Sequence, residues 1–471
     1  MPSSPETPTP DVDALPKRPG WANDTSLFTA RVVTIFATKI AQFVMGAATI
    51  FLIGRLLGSG RLGEYNLLLV WIGMLFAFGQ LGMPSAMTFM AGRGGSVKSL
   101  ERIALGLTAA ILVTITLVSL AALPFLKPTV LRAMAPDATT SDDLLRVVLL
   151  AVPLLLLTQF GAGILYTHGL NRAYNRIQVA VAAAMLILTT ALIGFVPFGV
   201  NGAVAAYLVA NGAGAIAVVY EIHRLARKTE GQLTGHVSFG DFTKYGIKLY
   251  PQSITSFFSY RADVLLLSWM LGNANLIGFY GMAVRIAEMT FYVPDSISAM
   301  LYPAISASSR AEADRLAPAV SRLAMLTTFM AGLAVIPAGF VAIWVVLPPD
   351  FHAAFPALVV IMPGILSLSL SKVLSSYVSG IGRPIATAVA GFVNLTVNIA
   401  ANLILIPMWG IVGASAASVI SYSCHAAILL VVSSRWAGVS PLAFIVPRRA
   451  EFARVWRMFV GGLGMVRARV S

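Results

Sequence analysis

The chain has 471 residues, of which 58% are hydrophobic and only 11% are charged, and its formal net charge is +14. This composition excludes a soluble globular protein, because apolar runs of the roughly 20 residues that a helix needs to cross a bilayer recur from end to end. The single cysteine, Cys424, excludes an internal disulfide and a thiolate metal cage. We therefore predict an all-α polytopic membrane protein with neither a metal nor another cofactor.

The predicted elements begin with a disordered tail over residues 1–25, which contains six prolines and four acidic residues. A first lobe of six spans follows within 26–222, then a polar cytoplasmic linker over 223–245 and a second lobe of six spans within 246–433. The basic tail 434–471 closes the chain. The twelve spans are predicted near 31–54, 65–88, 103–125, 147–167, 177–197, 202–222, 247–271, 278–304, 320–346, 354–378, 384–407 and 411–433.

The basic tail has apolar residues at helical spacing between Phe452 and Leu463, interleaved with arginines. This pattern is typical of an amphipathic helix on a membrane surface. The same surface would also suit a partner enzyme.

The distribution of Lys and Arg predicts the orientation. With a cytoplasmic N-terminus, 22 of these residues fall on the cytoplasmic side and only Arg55, Arg61, Lys127, Arg132 and Arg146 on the other. Both termini are therefore expected in the cytoplasm. The positive charge then fixes the orientation of the spans in the membrane and contacts anionic lipid headgroups, so no nucleic-acid partner is expected.

One phrase occurs twice: residues 199–210 read GVNGAVAAYLVA, and residues 410–421, 211 positions later, read GIVGASAASVIS. Small residues at close helical spacing already have a packing explanation in membrane helices. A second echo nevertheless pairs LLGSGRLGEY, from Leu56, with MLGNANLIGFY, from Met270. We interpret the chain as a duplicated six-span unit, in parallel orientation because six is even, with a cavity between lobes that rock about it.

Several motifs resemble a known family. The stretch IGFYGMAVRIAEMTFYVPDSISAMLYPAIS is similar to the eighth span of polysaccharide flippases in the multidrug/oligosaccharidyl-lipid/polysaccharide exporter (MOP) superfamily. RADVLLLSWMLG, NLTVNIAANLILIPMWGIVGASAAS and GRLLGSGRLGEY resemble other landmarks of that family. The resemblance covers residues 26 to about 433.

This resemblance implies a MATE-like fold that turns a lipid-linked oligosaccharide, of the undecaprenyl-pyrophosphate type, across the bacterial inner membrane for surface polysaccharide synthesis. Similar flippases hold the pyrophosphate headgroup in a cationic, water-filled cavity. The implied partners are that substrate, membrane lipids and polysaccharide polymerase or export machinery.

Charged residues inside spans are functional candidates, because each costs about 2.5–3.5 kcal/mol to insert at a span centre. The first lobe offers Arg31 and, roughly 12 Å deeper along a helix, Lys39. Apart from Glu221 at a cytoplasmic edge, its spans hold no acidic residue. The two cations therefore have no acidic partner within the lobe, which indicates an anionic ligand. The alternative is that Lys39 pairs with a carbonyl or with an acid of the other lobe.

The second lobe carries further charges on its first two spans. Arg285, Glu288 and Asp295 are expected to share one helix face. Arg261 and Asp263, two residues apart, are expected to point to different faces of their helix. We assign pyrophosphate binding to Arg31, Lys39, Arg261 and Arg285, because guanidinium and ammonium groups suit phosphate, and orienting or coupling roles to Asp263, Glu288 and Asp295. The alternative that Arg285 and Glu288 only neutralise each other stays open.

Three other functions compete with this interpretation. A cation-coupled multidrug exporter of the same fold needs a buried acid, which the first lobe lacks at depth. A membrane glycosyltransferase or polymerase needs a sizeable loop or an acidic cluster, and the Asp-Val-Asp at residues 11–13 lies in the tail. A peptidoglycan-precursor flippase typically has two more spans. No phosphate-binding loop motif is present, and we expect a transporter rather than an enzyme.

Overall fold

The computed structural model describes residues 25–92, 95–134, 149–229, 238–291, 294–295, 297–298, 301–302, 305, 308–448 and 451. These residues form α1 (Thr25–Gly79), α2 (Met83–Gly92), α3 (Val97–Met134), α4 (Ala151–Thr167), α5 (Asn171–Thr189), α6 (Gly199–Lys228), α7 (Phe239–Leu271), α8 (Ala274–Ala287), α9 (Arg310–Val341), α10 (Ala354–Gly380), α11 (Pro384–Ala437) and α12 (Leu442–Ile445). A helix satisfies its own backbone hydrogen bonds, which lipid cannot do.

Seven of the described helices are long and apolar enough to cross a membrane. Two of them, α1 and α11, each consist of two helices that meet at a glycine with non-helical backbone, Gly58 in α1 and Gly410 in α11. Each of the twelve predicted spans overlaps a described helix, while the count of twelve stays a prediction. The prediction of an all-helical, multi-pass membrane protein is confirmed.

The repeated phrase corresponds to a repeated turn. Gly199 and Gly410, the first residues of the two copies, have φ of +59° and +56°, a left-handed region that glycine enters without steric cost. Three residues later, a Cβ on Gly202 or Gly413 would lie 2.9 Å or 2.0 Å from a carbonyl oxygen of the preceding helix. Both copies therefore need glycine at the same two places, which explains why the phrase recurs.

The second echo marks the contact between the N-terminal half (α1–α6) and the C-terminal half (α7–α11). A Cβ built on Gly63 would lie 1.8 Å from the Ala274 carbonyl oxygen, and one built on Gly278 would lie 2.1 Å from the Ser59 carbonyl oxygen. Gly63 thus packs on Ala274, which is four positions before Gly278, and Gly278 packs on Ser59, which is four positions before Gly63. This reciprocity is the signature of a two-fold-related contact.

The chain ends and the linker are described only in part. Helix α6 runs to Lys228 and α7 begins at Phe239, so helix extends into the range expected for the linker. The disordered tail predicted over 1–25 and the amphipathic helix predicted beyond Phe452 lie almost wholly outside the described residues. Glu451 is described, and its carboxylate pairs at 2.7 Å with Arg322 of α9, both side chains being buried.

The glycine contact generates a stability prediction. Gly63→Ala forces a methyl group into the Ala274 carbonyl, and overpacking of this kind costs about 1–3 kcal/mol. We expect a lower melting temperature for the purified variant. The matched control is Gly106→Ala, also within a helix but with no atom within 4 Å of the added Cβ. Equal melting temperatures for the two variants would contradict the contact.

Candidate functional site

A cavity lies between the two halves of the molecule. It consists of two adjoining parts of about 340 Å³ each, which share Tyr207 of α6, Arg285 of α8 and Glu288 as lining residues. Helix α1 lines it from the N-terminal half and helix α7, through Arg261, from the C-terminal half. We call this space the central cavity.

One carboxylate in the central cavity binds two guanidinium groups. Glu288 begins a 3₁₀ segment, Glu288–Phe291, directly after α8. Its Oε1 lies 3.3 Å from Arg261 Nη2, and its Oε2 lies 3.7 Å from Arg285 Nη1. All three side chains keep between 21% and 39% of their surface exposed, so the pairs are open to the cavity rather than sealed in a core.

Lys39 faces the same space from the N-terminal half. It lines the part of the central cavity that also contains Arg285 and Glu288, and it is solvent-exposed. Among the described residues Lys39 makes no ion pair, so the alternative of an acidic partner in the other lobe finds no support there. The described lining therefore holds three cations, Lys39, Arg261 and Arg285, against one carboxylate, Glu288.

Two neutral side chains that the sequence analysis missed strengthen this surplus of donors. Gln42 and Asn66, both on α1, line the two parts of the central cavity. Their amide nitrogens, Nε2 of Gln42 and Nδ2 of Asn66, are buried and have no hydrogen-bond partner among the described residues. The sequence does show Gln42 and Asn66 as amide side chains inside apolar spans, and this was the signal that could have identified them. The cavity thus presents unpaired N–H groups and positive charge together, a combination suited to an anion rich in acceptor oxygens.

Asp263 lies apart from the central cavity. It is 4% exposed and sits in the core of the C-terminal half, where Val264 N donates to its Oδ1 at 2.8 Å and Ser418 Oγ donates to its Oδ2 at 3.4 Å. The Tyr280 hydroxyl also donates to Oδ2. Its separation from Arg261 agrees with their spacing of two residues on α7, which turns the side chains to different faces.

The expectation that Asp295 shares a helix face with Arg285 and Glu288 is wrong. Helix α8 ends at Ala287 and the backbone continues as 3₁₀, so the α-helical periodicity does not reach position 295. The Asp295 carboxylate instead accepts from Lys372 Nζ at 2.6 Å and lines a different cavity. Arg31 lies on α1, but its side chain is outside the described part of the structure.

The structural comparisons define the fold. A multidrug resistance MATE family transporter of the MOP superfamily, solved in an inward-facing conformation, matches 84% of this chain and 94% of its own length with a TM-score of 0.64 at 16% identity. A MOP superfamily transporter from Pyrococcus furiosus, whose title reports a binding pocket of reverse polarity, matches 86% of this chain and 94% of its own with a TM-score of 0.60 at 14% identity. The protein has the MATE-like helical fold.

The sequence comparisons define the family. The profile described as polysaccharide biosynthesis protein matches residues 28–309, more than half of the chain, and the chain belongs to this family. "Probable flippase AglR" of Haloferax volcanii is 27% identical over 168 residues, 34% of each chain. "Probable low-salt glycan biosynthesis flippase Agl15" of the same organism is 24% identical over 196 residues, 40% of each. The matches span only about a third to two fifths of these relatives. The predicted resemblance is confirmed at the level of the polysaccharide biosynthesis protein family and of the MATE-like fold.

The charge balance of the cavity generates a binding prediction. Glu288→Gln removes the only described carboxylate that lines it and leaves three cations unopposed. Since one unit charge at 4 Å is worth about 1 kcal/mol in water, we expect roughly fivefold tighter binding of pyrophosphate, measured by titration calorimetry. Glu312→Gln, at a fully exposed helix cap, is the control. Unchanged affinity in Glu288→Gln would mean that the cavity does not bind the anion.

Proposed function

We propose that this protein flips a lipid-linked oligosaccharide, carried on a pyrophosphate lipid of the undecaprenyl type, across a membrane by alternating access. The observation that carries the proposal is the charge of the central cavity, where three cations face one carboxylate. A pyrophosphate group supplies the missing negative charge. The flippase names of two relatives, one of them a glycan biosynthesis flippase, support the same substrate class.

The pyrophosphate must shed water to enter the protein, and the cavity offers replacements. Arg261 and Arg285 provide planar guanidinium donors, and Lys39 provides an ammonium group from the opposite half. Gln42 and Asn66 add two neutral amide groups whose N–H donors have no partner among the described residues. Glu288 pairs with both arginines, and these two pairs support the orienting role that we propose for it.

The transport step needs no covalent chemistry. In the proposed cycle the headgroup enters from the cytoplasmic side, and the two halves then rock so that the cavity opens on the other side while the lipid tail stays in the bilayer. The glycine contact between Gly63 and Gly278 lies at the end of the spans predicted to face outward, so it would part as the outer side opens. The halves then act as the two lobes expected from the repeat.

The proposed setting is the bacterial inner membrane, with both termini in the cytoplasm. The excess of Lys and Arg on one side of the spans supports this orientation. It places the N-terminal end of α1, several turns before Lys39, on the side where glycan precursors would be loaded. Polymerase or export machinery would act on the flipped product.

A cation-coupled multidrug exporter is the second candidate function, favoured by the buried Asp263. A carboxylate 4% exposed and held by three hydrogen bonds resembles the coupling acid that such a pump needs. The net positive lining of the central cavity opposes this function, because it repels cationic drugs. Asp263 would serve the flippase equally well as a coupling group.

We predict that Lys39→Ala and Arg285→Ala trap lipid-linked glycan on the cytoplasmic leaflet, as deletion of the protein does. A lost charge-assisted contact costs about 1.5–3 kcal/mol, so translocation should fall about tenfold or more. The measurement is leaflet exposure of the glycan in cells with matched expression. Lys39→Arg should retain most activity.

The matched control is Arg55→Ala, which removes an exposed arginine outside the cavity. Normal crossing of the glycan in a deletion strain that has no second flippase would overturn the proposal. Transport of ethidium but not of glycan by the reconstituted protein would favour the exporter function over the flippase function.

A further inference from the structure

The C-terminal half contains a second cavity, of about 690 Å³, which we call the C-terminal cavity. Its volume lies within the range of small-molecule sites. Helices α7, α10 and α11 line it, and α7 separates it from the central cavity. Tyr260 lines the C-terminal cavity while the next residue, Arg261, lines the central one.

The charge of this cavity differs from that of the central cavity. Its charged lining residues among those described are Lys372 and Asp295, which pair at 2.6 Å. The Lys372 ammonium also lies 4.0 Å from the centre of the Phe291 ring, a cation–π contact that holds it further. The pair neutralises itself, so the cavity has no surplus charge with which to bind an anion.

Several neutral polar atoms on residues that line the C-terminal cavity have no hydrogen-bond partner in the described part of the chain. Asn394 is 1% exposed and its Oδ1 accepts no hydrogen bond from the described residues. Ser298 Oγ and both ring nitrogens of His425 are likewise buried and unpartnered there. Buried polar atoms are nearly always hydrogen-bonded, so four such atoms around one cavity indicate a ligand that both donates and accepts. A hydroxyl group does both.

The walls fit the same kind of ligand. Tyr260, Tyr422 and Phe392 present aromatic rings, and Ser259, Ser371 and Ser375 present further small polar side chains. Flat apolar surfaces beside neutral hydrogen-bonding groups match a sugar ring, which has C–H faces and a hydroxyl edge. On one rim, Ile385, Val389 and Phe392 of α11 are exposed, so the cavity has an apolar exit.

We infer that the C-terminal cavity is a binding site for a neutral glycosyl group, either a free sugar or the sugar of a lipid-linked glycan. The apolar rim suits a sugar that is attached to a lipid. The lipid-linked source rests on the proposed function, whereas the binding of a sugar ring in this cavity does not.

The test is saturation-transfer NMR on the full chain in phosphatidylcholine nanodiscs, without sugar detergents. The probes are glucose, N-acetylglucosamine and octyl glucoside. We expect saturation of the sugar protons in the wild type, and binding weakened about tenfold by Asn394→Leu and by His425→Phe, because each removes a buried hydrogen-bonding group. The matched control is Asn201→Leu, at an exposed position near the start of α6, which should bind as the wild type does.

A melting temperature equal to that of the wild type verifies that each variant is folded, and Ser375→Phe, which fills the cavity, decides the outcome if Asn394→Leu does not fold. The inference is overturned if none of the three probes is saturated in the wild type, or if folded cavity variants bind as tightly as the control. Tighter binding of octyl glucoside than of glucose identifies the lipid-linked source, and equal binding identifies a free sugar. If the sugar probes bind in the NMR experiment but the leaflet-exposure measurement shows no glycan translocation, the proposed function is refuted and the sugar-binding site is retained.

Discussion

A charged side chain inside a bilayer must find an opposite charge, hydrogen-bond donors or acceptors, or water, and this constraint organises the interior of the protein. In the C-terminal half, Glu288 takes two arginines and Asp295 takes Lys372, so most intramembrane charge is neutralised locally. Lys39 remains, without a described ion pair, facing the cavity between the halves. The surplus positive charge of the described lining is thereby concentrated where the two halves meet.

Helix α7 divides the interior into two environments of different chemistry. On one side, Arg261 contributes to a cationic cavity with unpaired amide donors. On the other, Tyr260 contributes to a neutral cavity lined by hydroxyl, amide and aromatic groups. A lipid-linked oligosaccharide has both an anionic and a neutral hydroxylated part. The two cavities therefore match the two parts of the proposed substrate, and α7 contributes residues to the lining of both.

Glycine sets how closely the halves approach. Gly63 and Gly278 let one helix from each half touch backbone to backbone. Large side chains from both halves, such as Tyr65 and Tyr280, are buried in one core around this contact. Opening the outer side in the proposed cycle would therefore require these side chains to repack as well as the two glycines to separate.

The sequence alone determined the helical, membrane-spanning class and predicted the spans and the duplication, because hydrophobic runs and small-residue phrases are local properties that a bilayer turns into helices and turns. It also identified Lys39, Arg261, Arg285 and Glu288, since a charge in an apolar run is visible without a structure. Only the tertiary structure decided their partners. Spacing along a helix relates residues three or four apart, whereas Arg261 meets Glu288 from another helix, 27 positions away. For the same reason the sequence misplaced Asp295, since α8, the helix of Arg285, ends at Ala287. It also overlooked Gln42 and Asn66, because a missing hydrogen-bond partner is defined only by what surrounds an atom in space.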